Sequence, residues 1–155
     1  MEKISLDTAI QVTGISKRTL WRRVTDGQIT RLDTDERGRA MVAFEEIVPL
    51  INLPLAPDDY ELLVLADAGE ADAQSDLAQL FLDLDLTDLA VFWLSQAVEQ
   101  QHPDAMQIMA ELYIKGRGVD KDKNTGLMWL AKAAAHGHAI AQRQMAALVP
   151  SAGEA

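Results

Sequence analysis

The earliest regular pattern along the chain is helical. In "SLDTAIQVTG", residues 5–14, Ala9 and Val12 fall on one face. Ser5 stands ahead of them as an N-cap, and Gly14 follows where a left-handed residue ends a helix. A second helix begins at once in "ISKRTLWRRVTDG". Ser16 is its N-cap, Leu20, Trp21 and Val24 give an apolar side at i, i+1 and i+4, and Gly27 closes it. The period then changes. Two short strand-like stretches, Ile29 to Leu32 and Ala40 to Val42, flank a polar tip of Asp33, Asp35, Glu36, Arg37 and Gly38, which reads as a hairpin. Phe44, Ile47, Val48 and Ile51 return to helical spacing and predict a third helix packed underneath.

Two short helices joined by a tight glycine-containing turn are a helix-turn-helix, and a hairpin and helix after them complete the order of a winged helix-turn-helix domain. Residues 4–51, through "SLDTAIQVTGISKRTLWRRVTDGQI" and "RLDTDERGRAMVAFEEI", resemble the DNA-binding domain of the MerR and phage-excisionase group. That resemblance implies a second helix in the major groove of double-stranded DNA and a wing on the backbone or minor groove. By position it puts Lys17, Arg18, Thr19, Arg22 and Arg23 on the reading helix and Arg37 and Arg39 on the wing. Independently, Arg18 and Arg22 lie four apart, off the Leu20 and Val24 stripe, and an exposed guanidinium row suits phosphates and guanine edges. Asp33, Asp35 and Glu36 depart from the Arg-rich wing common in the group. Trp21, beside Leu20, is expected in the core, with stacking on a nucleic acid as the alternative.

Beyond Phe44 the pattern is interrupted by "PLINLPLAP", residues 49–57, whose three prolines predict an extended connector, with the boundary placed at 53–57. The rest repeats itself. "ADAQSDLAQLF" (71–81), "PDAMQIMAELY" (103–113) and "AIAQRQMAALV" (139–149) are similar stretches, alternating with "DLAVFWLSQAVEQ" and "TGLMWLAKAAAHG". An incomplete copy, "YELLVLADAGEADA", precedes them. The spacing is 32 residues from Ala73 to Ala105 and 36 from Ala105 to Ala141, and the four missing residues fall in the loop between paired helices. The pattern, above all "LYIKGRGVDKDKNTGLMWLAKAAAHGHAIAQ", resembles the Sel-one-like repeat, a relative of the tetratricopeptide repeat, over residues 58–149. The resemblance implies an α/α solenoid that binds a protein partner, with Ala105, Ala110, Ala131, Ala134 and Ala141 letting helices approach closely.

Charge separates the same two parts. Residues 1–50 hold eight Lys and Arg against eight Asp and Glu, whereas residues 51–155 hold six against sixteen and carry the whole net charge of −10. Four of the fourteen basic residues nevertheless fall between Lys17 and Arg23. The 48% hydrophobic fraction is that of a globular chain. The absence of cysteine excludes disulfides and thiolate metal sites. With no long apolar run and no basic-then-apolar start, neither a membrane span nor a secretory signal is expected, and the reading is cytoplasmic.

Candidate chemistry does not assemble. "DKDKN", 120–124, starts like a calcium loop, but Thr125 and Ala131 stand where glycine and the bidentate glutamate belong. His102 and His138 hold equivalent repeat positions, which predicts a structural turn role rather than a metal site. Gly116 and Gly118 give a loop its backbone freedom and are no dinucleotide fingerprint. "DLDLTD", 83–88, reads as a solvated helix start.

The expectation is a mainly α protein without enzymatic activity, cofactor or metal. A winged helix-turn-helix spans 1–52, a proline-rich linker 53–57, a repeat solenoid 58–150 and a flexible tail 151–155. The leading function is a small DNA-binding, transcription-associated regulator whose acidic repeats bind a protein. The alternatives are a protein–protein adaptor whose helix-turn-helix no longer reads DNA, and an excisionase-like protein that bends DNA. A homodimer is left open, since one such domain buries only ~600–1,000 Å² on DNA.

Overall fold

The computed structural model describes residues 2–148, and the tail expected at 151–155 lies outside them. The chain divides into two compact units between Ala68 and Gly69.

The first unit is a small α/β assembly. Helix α1 (Leu6–Thr13) is capped as its sequence dictates: the Ser5 side chain accepts the Thr8 N–H, and Gly14, at φ 70°, turns the chain out of the helix. Helix α2 (Lys17–Thr25) starts in the same way, with Ser16 accepting the Thr19 N–H. Val12, Ala9 and Leu20 meet in the core. The hairpin pairs β2 (Arg31–Leu32) with β3 (Met41–Ala43), in the register Arg31 to Val42. A strand not expected from the sequence, β1 (Lys3–Ser5), pairs with the other edge of β3, so the sheet order is β1-β3-β2. The third helix is shorter than its apolar spacing predicts. α3 (Phe44–Ile47) passes into a 3-10 turn at Val48–Leu50, where Pro49 cannot donate to a continuing helix.

The boundary expected at the proline-rich stretch is corrected by the structure. Asn52 donates its N–H to the Val12 carbonyl (2.8 Å), which ties the stretch to α1. Helix α4 (Tyr60–Ala68), expected as an incomplete repeat of the solenoid, belongs to the first unit. It packs on β1, and Phe44 meets Tyr60 edge to face at 5.8 Å. Its fastening is Asp67, almost wholly buried. A carboxylate there requires partners, and the residues at the end of β1 supply them.

The second unit is a stack of helix pairs: α5 (Ala71–Asp83) with α6 (Thr87–Glu99), and α7 (Pro103–Lys115) with α8 (Lys123–Ala135). Helix α9 (Ala139–Leu148) lies against α8. The four-residue difference falls where expected, in the loops 84–86 and 116–122. Phe81, Leu77, Leu94 and Ala97 are fully buried, and Met106, Ala110, Leu130, Ala133 and Ala141 form a further cluster. Ala105, Ala110 and Ala141 sit at close helix contacts as expected, and Ala134 packs at the edge of the cluster. Ala131 does not: it faces solvent, and Ala133 holds the inner position two residues on. A closer approach is made by Gly126, where an added Cβ would stand 2.6 Å from Ile114 Cγ1 and 3.0 Å from the Ala110 carbonyl oxygen.

Candidate functional site

Helix α2 presents the basic cluster. Its single fully buried residue is Leu20, which fixes the helix's orientation and leaves Lys17, Arg18 and Arg22 exposed, with Arg23 half-buried. Among the described residues none of these four forms an ion pair. Thr19 is used locally, its N–H and hydroxyl both bonded to the Ser16 side chain. Trp21, expected in the core, is only half-buried. It lies on the flank of α2, and the Arg31 guanidinium from β2 stacks over its ring at 5.1 Å.

The wing arginines behave differently. Arg39 Nε donates to Asp35 Oδ2 (2.8 Å), Nη1 to Asp67 Oδ1 (3.1 Å) and Nη2 to the Asp67 carbonyl (2.8 Å). Arg37 Nη2 donates to the same carbonyl at 2.7 Å. Asp67 also accepts the Ser5 N–H (2.8 Å), the Ser5 hydroxyl (2.6 Å) and the Thr8 hydroxyl (2.6 Å). Both arginines expected on DNA are therefore turned onto α4, because a buried carboxylate and an open helix-end carbonyl offer them stronger partners than water does. Asp35 organises the tip: the Arg39 backbone N–H, opposed by burial and joined by the Arg39 guanidinium, holds its carboxyl below the ordinary value. The acidic wing was legible in the sequence, but its partner twenty-eight residues beyond Arg39 was not.

On the repeat unit, an open groove of about 460 Å³ is lined from α5, α7, α9 and the loop after α7, with Asp83, Asp104 and Glu111 beside Arg117, His138 and Ile140. Gln107 donates to Glu111 Oε1 at 2.9 Å, so that carboxylate is partly engaged. His102 and His138 each cap a helix. His102 Nδ1 accepts the Ala105 N–H (3.3 Å) and its Nε2 meets Asp72 (2.6 Å). His138 repeats the arrangement on Ala141 (3.1 Å) and Asp104 (2.8 Å). The structural role expected for the pair is thus a cap linking successive repeats. Asp122 of the calcium-like stretch is likewise an N-cap, its carboxyl held low by the Thr125 hydroxyl and N–H. Among the described residues no group of three His, Asp and Glu side chains is placed to hold a metal ion, and no helix is long and apolar enough to cross a membrane.

Stacked antiparallel helix pairs with small residues at the contacts define an α/α repeat protein. The family described as Sel1 repeat matches residues 71–102 and 103–138, the same two units as α5–α6 and α7–α8 with their following turns. A Sel1 repeat protein from Oxalobacter formigenes, known from its crystal structure, is 33% identical with a TM-score of 0.53, over 58% of this chain and 71% of that one. The chain belongs to the Sel1 repeat family. Its repeats are consistent with protein–protein interaction. No family matches the first unit, and no curated protein matches the chain.

Proposed function

We propose that this protein is a small DNA-binding regulator, without chemistry of its own, whose first unit reads duplex DNA through α2 and whose acidic repeats hold a protein partner. The observation that carries the first half is the basic row of α2. Lys17, Arg18, Arg22 and Arg23 form no ion pair among the described residues, although the unit, Met1–Ala68, holds twelve acids against eight bases. Arg18 and Arg22, four apart on one exposed face of the helix, suit a phosphate backbone and guanine edges. The capped helix pair and the hairpin support a winged helix-turn-helix reading of that unit. On the wing, Arg39 is paired with Asp35 and Asp67 and Arg37 donates to the Asp67 carbonyl, which draws both toward the unit's own structure. Asp83 and Glu111, which line the repeat groove together with Arg117, suit a partner segment carrying Lys or Arg.

The test is a fluorescence-anisotropy titration of the full chain against duplex DNA at several salt concentrations, with Arg18→Ala/Arg22→Ala as the variant. Each lost bidentate base contact weakens binding by ~1–3 kcal/mol. Stability should stay within about 0.5 kcal/mol, because both side chains are exposed. If the wild-type chain binds no duplex at ~50 mM salt, where phosphate contacts are strongest, the DNA reading fails and α2 becomes a docking surface of an adaptor.

A further inference from the structure

The geometry points to Arg31 as a DNA-backbone contact of this protein, held in place by Trp21. The inference rests on the DNA reading above and adds a residue to it. Arg31 is exposed, and among the described residues no carboxylate pairs with it. Its backbone is fixed on both sides. Arg31 pairs with Val42 in the sheet, and the preceding Thr30 is clamped by Glu46, which accepts its N–H and its hydroxyl, both at 2.7 Å. The side chain is then steered by one contact, the Trp21 ring 5.1 Å below its guanidinium.

Trp21 explains why that contact matters. It stands one position from Arg22 and three from Arg18, so its exposed edge borders the basic row of α2. Stacking on an aromatic face restrains a guanidinium while leaving its N–H groups free in the ring plane, where they can donate to a phosphate. Asp33, two residues on along the chain, makes no ion pair with Arg31, and Asp35, the one wing acid with a basic partner among the described residues, takes Arg37 and Arg39 instead. Arg31 therefore brings a cation from the sheet to the edge of α2, whereas the two arginines nearer the wing tip point into the unit's own structure.

The test compares three variants of the full chain, Arg31→Ala, Arg31→Lys and Arg37→Ala, by the slope of log binding constant on log salt concentration with one duplex. Arg31→Ala should lower the magnitude of that slope by about 0.9, the loss of one phosphate contact. Arg31→Lys should retain it, since the charge remains. Arg37→Ala should leave it unchanged while lowering the melting temperature, because Arg37 holds the Asp67 carbonyl and not DNA. A slope unaltered by Arg31→Ala, with binding still lost in Arg18→Ala/Arg22→Ala, overturns this inference and leaves the DNA reading standing. A drop of about one unit in Arg37→Ala overturns it too, by showing that the wing arginine leaves its internal partner for the duplex. Absence of binding by the wild-type chain removes both.

Discussion

Replacing Asp67 by alanine should unfasten the first unit. The carboxylate is 2% exposed as a residue and accepts four hydrogen bonds, from the Ser5 N–H, the Ser5 and Thr8 hydroxyls and Arg39 Nη1, at 2.6 to 3.1 Å. Ser5 is wholly buried, so its N–H cannot turn to water once the acceptor is gone. Each buried donor left unsatisfied costs about 1–3 kcal/mol, and removing one partner of a buried ion pair about 3–5. These terms share one site and do not add. Arg39 is also 22% exposed at its side chain and can recover part of its hydration. The expected loss is therefore ~3–5 kcal/mol for Asp67→Ala and ~1–3 for Asp67→Asn, which keeps the volume and one acceptor oxygen. Because the chain has two compact units, a single global melt would mix them; hydrogen exchange resolved on residues 3–13 reads the first unit directly. A fragment ending at Asn52 lacks Asp67 and should fail to fold for the same reason. Opening free energies in residues 3–13 that move by less than 0.5 kcal/mol in Asp67→Ala would refute the reasoning.

Two further outcomes follow from the repeats. His138→Ala should destabilise by ~1 kcal/mol, the usual worth of a cap, with faster exchange in 139–148, whereas Asp104→Asn should change stability by less than ~0.5 kcal/mol because that carboxylate is largely exposed; a larger effect in Asp104→Asn would show that the ion pair and not the cap couples the repeats. Gly126→Ala should destabilise by ~1–3 kcal/mol in thermal unfolding, since the Cβ overlap with Ile114 and the Ala110 carbonyl outweighs the ~1 kcal/mol gain in helix propensity; a stabilised variant would mean that α7 and α8 separate without penalty.

The sequence was most legible where a local rule decides the outcome. Ser5, Gly14 and Ser16 set the bounds of α1 and α2 through contacts three or four residues away, and the repeat period located α5 to α8 because each unit packs on a copy of itself. What was hidden depends on distant partners. β1 is three residues long and exists because β3 offers it an edge; nothing within Lys3 to Ser5 announces a strand. The prolines at 49–57 read as a linker, yet proline excludes helix without excluding attachment, and the Asn52 N–H found the Val12 carbonyl. Asp67 sits in "YELLVLADAGEADA" as one more acid of an acidic half, and only a partner sixty-two residues earlier in the chain reveals it as the most important one. Trp21 departs from its expected core position for a related reason: its neighbour Leu20 is fully buried, but one step of 100° around a short helix carries the next residue to the flank, where Arg31 covers it.

The same partners change what the unit's charge means. Counted over residues 1–50, eight bases against eight acids argue against a nucleic-acid module. Charge that is already paired, however, presents no field to a ligand. Arg39 is paired with Asp35 and Asp67, and Arg37 lies 3.9 Å from Asp35. Among the described residues of the unit the cations without ion pairs are Lys3, Lys17, Arg18, Arg22, Arg23 and Arg31, five of the six on α2 or beside it. Clustered unpaired cations favour a local positive surface on α2 although the unit as a whole, with twelve acids against eight bases, is negative. Net charge is therefore the wrong quantity to weigh here. The relevant one is where the unpaired cations stand, and that became countable only once Asp67 was found beneath the wing.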